Sequence, residues 1–271
     1  MKLAVNYSLE AAGLISAGSI PMDMFKSPEW PELVEEAQAI RPVYVHFGHR
    51  AGPGGLDGVD WALVDDLLSR TATRYINIHL YPPPGSFPNV RPNAADHTSI
   101  QAVTEGMLAS VLDLTKRFGP ERVIAENLPY WEEMPDDVIR PAVEPETIRQ
   151  IVSESNCQFL LDISHACIAA KGLRMGYQDY ISALPVERMR EMHISGLGVL
   201  EGRLRDHQRL SEDDWAALDW AMEQIRTGRW AAPWLATFEY GGIRLPPPWP
   251  YEQSVLAEQV PRMYELVHAV A

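Results

Sequence analysis

The stretch Leu160-Leu161-Asp162-Ile163-Ser164-His165 decides the reading. A short apolar run ends in a carboxylate, and an imidazole follows three residues later. The same ending recurs along the chain. Val43-Tyr44-Val45 runs into His46, and Tyr75-Ile76-Asn77-Ile78 into His79. Val123-Ile124-Ala125 runs into Glu126, Met189-Arg190-Glu191-Met192 into His193, and Leu235-Ala236-Thr237-Phe238 into Glu239. Apolar runs of this length read as strands buried in a parallel sheet. Each ends in a residue type that binds metal, which places a metal site at one mouth of a barrel of parallel strands.

The segments between these runs support that fold. Strand candidates at Lys2–Ser8, Ile20–Phe25, Pro42–Phe47, Tyr75–Leu80, Arg122–Leu128, Gln158–Ile163, Arg188–Ser195 and Trp234–Tyr240 alternate with helix candidates. Among the helices are Pro31–Ile40, Trp61–Arg70, Thr98–Phe118, Pro145–Ser155, His165–Gly172 and Ser211–Thr227, with Ser211 as a cap. Stretches 130–145 and 196–210 read as loops. The expectation is one α/β domain over residues 1–271, a single (β/α)8 TIM barrel, for which 271 residues is an ordinary length.

Composition narrows the function. Hydrophobic residues make up 46% of the chain, enough for a large core, and no apolar run is long enough to span a bilayer. The start, Met1-Lys2-Leu3-Ala4-Val5-Asn6, has no signal-peptide pattern, so a cytoplasmic protein is expected. The formal net charge is −14 with no basic cluster, which argues against nucleic acid as a partner. Cys157 and Cys167 match no redox or zinc motif and read as reduced, largely buried thiols.

Side chains two apart on a strand share a face, so each terminal residue faces the same way as the apolar residue two before it. The candidate metal ligands are His46, His79, Glu126, Asp162, His165, His193, Asp206, His207 and Glu239. Imidazole with carboxylate and no thiolate suits iron, zinc or manganese rather than a structural zinc clamp or calcium. Nine candidates exceed what one ion needs and fit a cluster of two or three, with Glu126 and Glu239 as bridging carboxylates. His49 is a candidate for substrate contact or proton transfer. Asn127 and Tyr240 adjoin ligands and are candidates for orienting them, and Glu191 and Asn77 face inward one layer below. The proline-rich loops 81–88 and 244–251, with Tyr81, Phe87, Trp249 and Tyr251, are candidates for a peptide groove.

These motifs carry a family resemblance. Glu126-Asn127, the run 160–165 with Ala166, Met192-His193-Ile194-Ser195-Gly196, Asp206-His207 with Ser211-Glu212-Asp213-Asp214-Trp215, and Phe238-Glu239-Tyr240-Gly241-Gly242 resemble the DUF692 family. These are the multinuclear non-haem iron-dependent oxidative enzymes. The resemblance implies a xylose isomerase-like barrel and two or three ions of Fe(II)/Fe(III) that activate dioxygen. It also implies a ribosomally made precursor peptide as substrate, often oxidised at cysteine, and a partner protein that presents it. The broader superfamily includes a trinuclear-zinc repair endonuclease with the same order of ligand types. The superfamily spaces its last Asp and His as Asp-x-His, whereas here Asp206 and His207 are adjacent and Gln208 holds the expected His position. Neighbours on an extended segment point opposite ways, so either the chain turns sharply there or one of the pair is not a ligand.

Competing readings are a zinc-cluster phosphodiesterase, a single-metal sugar isomerase or epimerase, and a non-catalytic metal-binding scaffold. The isomerase needs only Glu126, Asp162, His193 and Glu239, and leaves His46, His79 and His165 without a role.

Overall fold

The apolar runs that end in metal-binding residue types are strands, and they are buried along nearly their whole length. The computed structural model describes residues 1–133, 138–200, 202–241 and 252–269. In chain order the elements begin with β1 (Lys2–Asn6), α1 (Leu9–Ser16), β2 (Met24–Pro28), α2 (Pro31–Gln38), β3 (Val43–His46) and α3 (Trp61–Arg70). Next come β4 (Ile76–His79), α4 (His97–Phe118), β5 (Val123–Glu126), α5 (Arg140–Val143), α6 (Pro145–Ser155), β6 (Gln158–Asp162), α7 (Ile163–Gly172) and α8 (Tyr177–Ala183). The chain closes with β7 (Met189–Ile194), β8 (Gly196–Leu200), β9 (Arg203–Gln208), α9 (Glu212–Arg226), β10 (Leu235–Phe238) and α10 (Gln253–His268). Eight parallel strands interleaved with helices make this an α/β chain of the (β/α)8 barrel class, as the sequence predicts.

The chain forms two compact units. The first comprises Met1–His46, Ala62–Arg74 and Glu191–Ala271. Its parallel strands run in the order β3-β2-β1-β10-β7. Ala4, Met24, Tyr44 and Leu235 form a core cluster between them. The period of two then aims Asn6, Lys26, His46 and Thr237 the same way, one layer nearer the C-terminal ends. The second unit comprises Phe47–Trp61 and Tyr75–Arg190. Its parallel strands run β6-β5-β4, with His79 in register with Glu126. In α4, buried Val103, Met107, Val111 and Leu114 recur at helical spacing, which gives that helix its core-facing stripe.

Four expectations need correction. Strand β2 covers Met24–Pro28 rather than 20–25. The Asp23 carboxylate accepts from the Leu3 amide, and the Asp23 amide donates to the Leu3 carbonyl, so pairing with β1 starts there. Ile20 and Met22 are buried ahead of the strand. Stretch 196–210 is not a loop: β8 and β9 form an antiparallel hairpin with a register shift that breaks the period of two. Stretch 130–145 contains the short helix α5, with Pro141 in its first turn. Helix α7 begins at Ile163, because the Asp162 carboxylate caps it by accepting from the His165 amide at 2.7 Å.

Both cysteines are free. Cys157 is fully buried, which pushes its thiol up to about 11, and Cys167 is partly buried. Among the described residues no helix is long and apolar enough to cross a membrane.

Candidate metal centre

In the second unit, β4, β5 and β6 deliver His79, Glu126 and Asp162 at their last residues, and α7 adds His165 in its first turn. Glu126 and Asp162 are almost wholly buried. Donor atoms of Glu126, Asp162 and His165 all lie within 4.8 Å of one another. The His79 Nδ1 donates to the His49 carbonyl at 3.0 Å, which fixes the tautomer and leaves Nε2 as a lone pair. That Nε2 sits 3.2 Å from Oε2 of Glu126. His165 repeats the device: its Nδ1 donates to the Asn127 carbonyl at 3.0 Å. On the same ring, Nδ1 is 3.7 Å from Oε1 of Glu126 and 3.6 Å from Oδ2 of Asp162. The two oxygens of Glu126 therefore face two different imidazoles.

Two buried asparagines brace this half. The Asn127 side chain donates to the Asp162 carbonyl and accepts from the Asp162 amide, both at 2.9 Å. The Asn77 side chain does the same for Phe47, accepting from its amide at 2.7 Å and donating to its carbonyl at 2.9 Å. Each amide thus pins backbone at or next to a candidate ligand.

In the first unit, β3 ends in His46, β7 carries His193 and Glu239 follows β10. The His46 and His193 rings are 5.2 Å apart. His193 is completely buried between two carboxylates. Its Nε2 is 2.9 Å from Oε1 of Glu191 and 3.3 Å from the Tyr44 hydroxyl, which also bonds Thr237. Its Nδ1 is 2.8 Å from Oε1 of Glu239. A carboxylate on one nitrogen orients the ring and raises the basicity of the other.

The hairpin settles where Asp206 and His207 point. His207 has φ +57°, in the left-handed region, at the register shift between β8 and β9. A bulge with a left-handed residue re-aims its side chain. The His207 Nε2 lies 3.7 Å from Oδ2 of Asp206 and 3.8 Å from Oε2 of Glu239. Its Nδ1 donates to the Gly241 carbonyl at 3.0 Å, and the Gly241 amide donates back to the His207 carbonyl. Gly241 sits at φ +73°, a conformation that favours glycine. At the hairpin base a Cβ on Gly196 would collide with the Arg209 carbonyl, so only glycine fits that approach.

Other sequence candidates lie in different surroundings. The His49 imidazole is buried, stacked between Phe47 at 5.1 Å and Trp61 at 5.6 Å, with Nδ1 donating to the Asn77 carbonyl. Burial holds its pKa down to about 4, against the opposing pull of that hydrogen bond. The Tyr240 ring stacks on Phe238, and its hydroxyl accepts from the Glu252 amide. In loop 81–88 the Tyr81 ring lies under the Arg50 guanidinium, and Phe87 packs so closely on Gly106 of α4 that a Cβ there would clash. Trp249 and Tyr251 lie outside the described residues.

One charged residue escaped the sequence reading. Lys26 of β2 makes an ion pair with Oε1 of Glu239. Ending the second strand at Phe25 hid it; pairing that begins at Ala4 with Met24 puts Lys26 beside Asn6 and Tyr44.

Comparison with known proteins agrees with this architecture. A xylose isomerase domain protein from Alicyclobacillus acidocaldarius superposes with a TM-score of 0.56 at 13% identity, covering 99% of this chain and 98% of that one. At that identity the likeness concerns the fold alone. A UPF0276 protein from Acaryochloris marina is 31% identical over 97 residues, 34% of this chain and 34% of that protein. A UPF0276 protein from Alcanivorax borkumensis is 25% identical over 182 residues, 65% of this chain and 58% of that protein. The chain thus spans at most 58% of the length of these two relatives. The model of the RiPP precursor modification enzymes MbnB/TglH/ChrH (RiPP: ribosomally synthesised and post-translationally modified peptide) matches residues 52–230, more than half of the chain, and the chain belongs to that family.

Proposed function

We propose that this protein is an iron-dependent oxidative enzyme that modifies a residue, often cysteine, of a ribosomally made precursor peptide. The nine ligands are His46, His79, Glu126, Asp162, His165, His193, Asp206, His207 and Glu239. Family membership supports the peptide substrate, and a partner protein that presents the peptide belongs to the same reading. The observation that carries the metal centre is that Glu126, Asp162 and His165 bring donor atoms within 4.8 Å of one another. His79, His165 and His207 each donate Nδ1–H to a backbone carbonyl, so each keeps Nε2 as a lone pair. His49 and His268 make the same kind of bond without joining this set, so the tautomers support the reading only together with that convergence of donors.

The donor set fits the group. Imidazole and carboxylate without thiolate suit iron, with zinc as the alternative. Two nearly buried carboxylates in one unit, Glu126 and Asp162, are costly unless a cation offsets them. The (β/α)8 fold brings the C-terminal strand ends to one mouth as a general rule, and these residues lie at or just beyond such ends.

Within that centre, Glu126 would be a bridging carboxylate, with Oε2 near Nε2 of His79 and Oε1 near the protonated Nδ1 of His165. Glu239 does likewise, with Oε1 toward His193 and Oε2 toward His207. Glu191 and Tyr44 hold His193, and Asn127 holds the backbone of Asp162. Bound iron would supply dioxygen activation and one-electron chemistry, which no side chain here can provide. The chain supplies the fixed imidazole tautomers and bracing that keep the donors in place.

Purification without oxygen, elemental analysis and Mössbauer spectroscopy test the centre; roughly two or three irons per chain are expected. Adding oxygen and candidate peptides from the genomic neighbourhood should then consume oxygen and change a peptide's mass. Zinc alone, with no oxygen uptake, would overturn the oxidative reading in favour of a hydrolase.

A further inference from the structure

Lys26 stands out because it is a nearly buried ammonium in the layer that holds His46, and it pairs with the candidate ligand Glu239. The core cluster of Ala4, Met24, Tyr44 and Leu235 has a second layer two residues on, and there β3 offers His46 while β2 offers an ammonium. The Lys26 side chain is 12% exposed and Glu239 is 5% exposed, so the pair is screened little by water. Its nitrogen contacts Oε1 of Glu239, the same oxygen that faces Nδ1 of His193. A buried carboxylate without a cation is strongly disfavoured. Lys26 meets that need with a covalently attached positive charge.

We propose that Lys26 is a built-in counter-ion for Glu239, holding this carboxylate in place before metal binds and competing with metal for the same oxygen. The consequence has opposite signs in the two states. Without metal, the ammonium offsets the buried negative charge and stabilises the fold. With metal, a cation at Oε1 is repelled by the ammonium, so Lys26 weakens binding at that end. A residue serving only as packing or as an ordinary surface ion pair would not give this reversal. The proposal rests on the metal-centre reading above, but it concerns Lys26 alone.

The test compares wild type with Lys26→Met and Lys26→Arg as full-length proteins stripped by chelator. Thermal midpoints are read without metal, and Zn2+ affinity is read by competition with a chromophoric chelator. Lys26→Met should melt lower than wild type when stripped, and should bind Zn2+ about tenfold or more tightly, because a like charge has gone from a poorly screened site. Lys26→Arg keeps the charge and should lie close to wild type in both readings. Unchanged or weaker Zn2+ binding by Lys26→Met, or an unchanged stripped midpoint, would overturn the proposal. Should Lys26→Met fail to fold when stripped, refolding it with Zn2+ decides: recovery supports the proposal and continued failure defeats it. Wild type that binds no Zn2+ or iron would instead sink the metal-centre reading, a separate outcome.

Discussion

The Nε2 of His207 lies 3.7 Å from Oδ2 of Asp206, its immediate neighbour in the chain. On a regular strand these side chains would point to opposite faces. The register shift and the left-handed backbone of His207 undo that alternation, and the Ser195 hydroxyl accepts from the His207 amide at 2.9 Å to hold the turn. The missing spacer of Asp-x-His is replaced by a bulge.

His207→Gly separates the backbone from the ligand. A left-handed non-glycine residue costs roughly 1 kcal/mol, which glycine relieves. The stripped variant should therefore melt within a few degrees of wild type, the relief offsetting the lost bond to Gly241. Metal per chain, measured after anaerobic iron loading, should fall. Full iron content in this variant would remove His207 from the ligand set.

Asn127 makes two hydrogen bonds to the Asp162 backbone, and both groups are buried. Asn127→Ala leaves an amide and a carbonyl without that partner, at about 2–4 kcal/mol of stability. Denaturant unfolding of the stripped protein reads this directly. Asn127→Asp can still accept from the Asp162 amide but cannot donate to its carbonyl, so it should also destabilise. An Asn127→Asp protein as stable as wild type would contradict the donor role.

Glu191 holds Nε2 of His193 at 2.9 Å. Glu191→Gln keeps a polar group of the same size but removes the carboxylate that raises ligand basicity. Metal affinity should drop by about 10–100-fold. Chelator competition measures it, and an unchanged affinity would show that Nδ1 of His193 gains nothing from its partner.

His49 gives a pH signature. Burial lowers its pKa to about 4, below the ordinary value of 6.5, so the folded state resists protonation that the unfolded state accepts. Its contribution is present above about pH 6.5 and is lost as pH falls through the window down to about 4, amounting to about 3 kcal/mol in full. His49→Phe, which suits the Phe47–Trp61 stack, should lose less stability than wild type between pH 7 and pH 4. Stripped proteins unfolded by urea across that range give the comparison; superimposable acid limbs would remove His49 as the source.

The sequence alone determined the alternation of elements, the parallel sheet and the donor types at the strand ends. It could do so because a buried strand needs a continuous apolar run, and a terminal polar residue marks where that run reaches the mouth. It singled out Glu126, Asp162, His193 and Glu239 as candidates, since each directly follows or ends such a run. Local pattern could not give what depends on non-local partners. The start of β2 is set by Asp23 bonding Leu3, far away in sequence, and that shift is what brings Lys26 to Glu239. The bulge at His207 breaks the very period by which strands are read. Which nitrogen of each imidazole keeps its lone pair depends on a carbonyl from another segment: His49 for His79, Asn127 for His165 and Gly241 for His207. Donor identity is thus a property of the chain, whereas donor direction is decided by hydrogen bonds that exist only once distant segments meet.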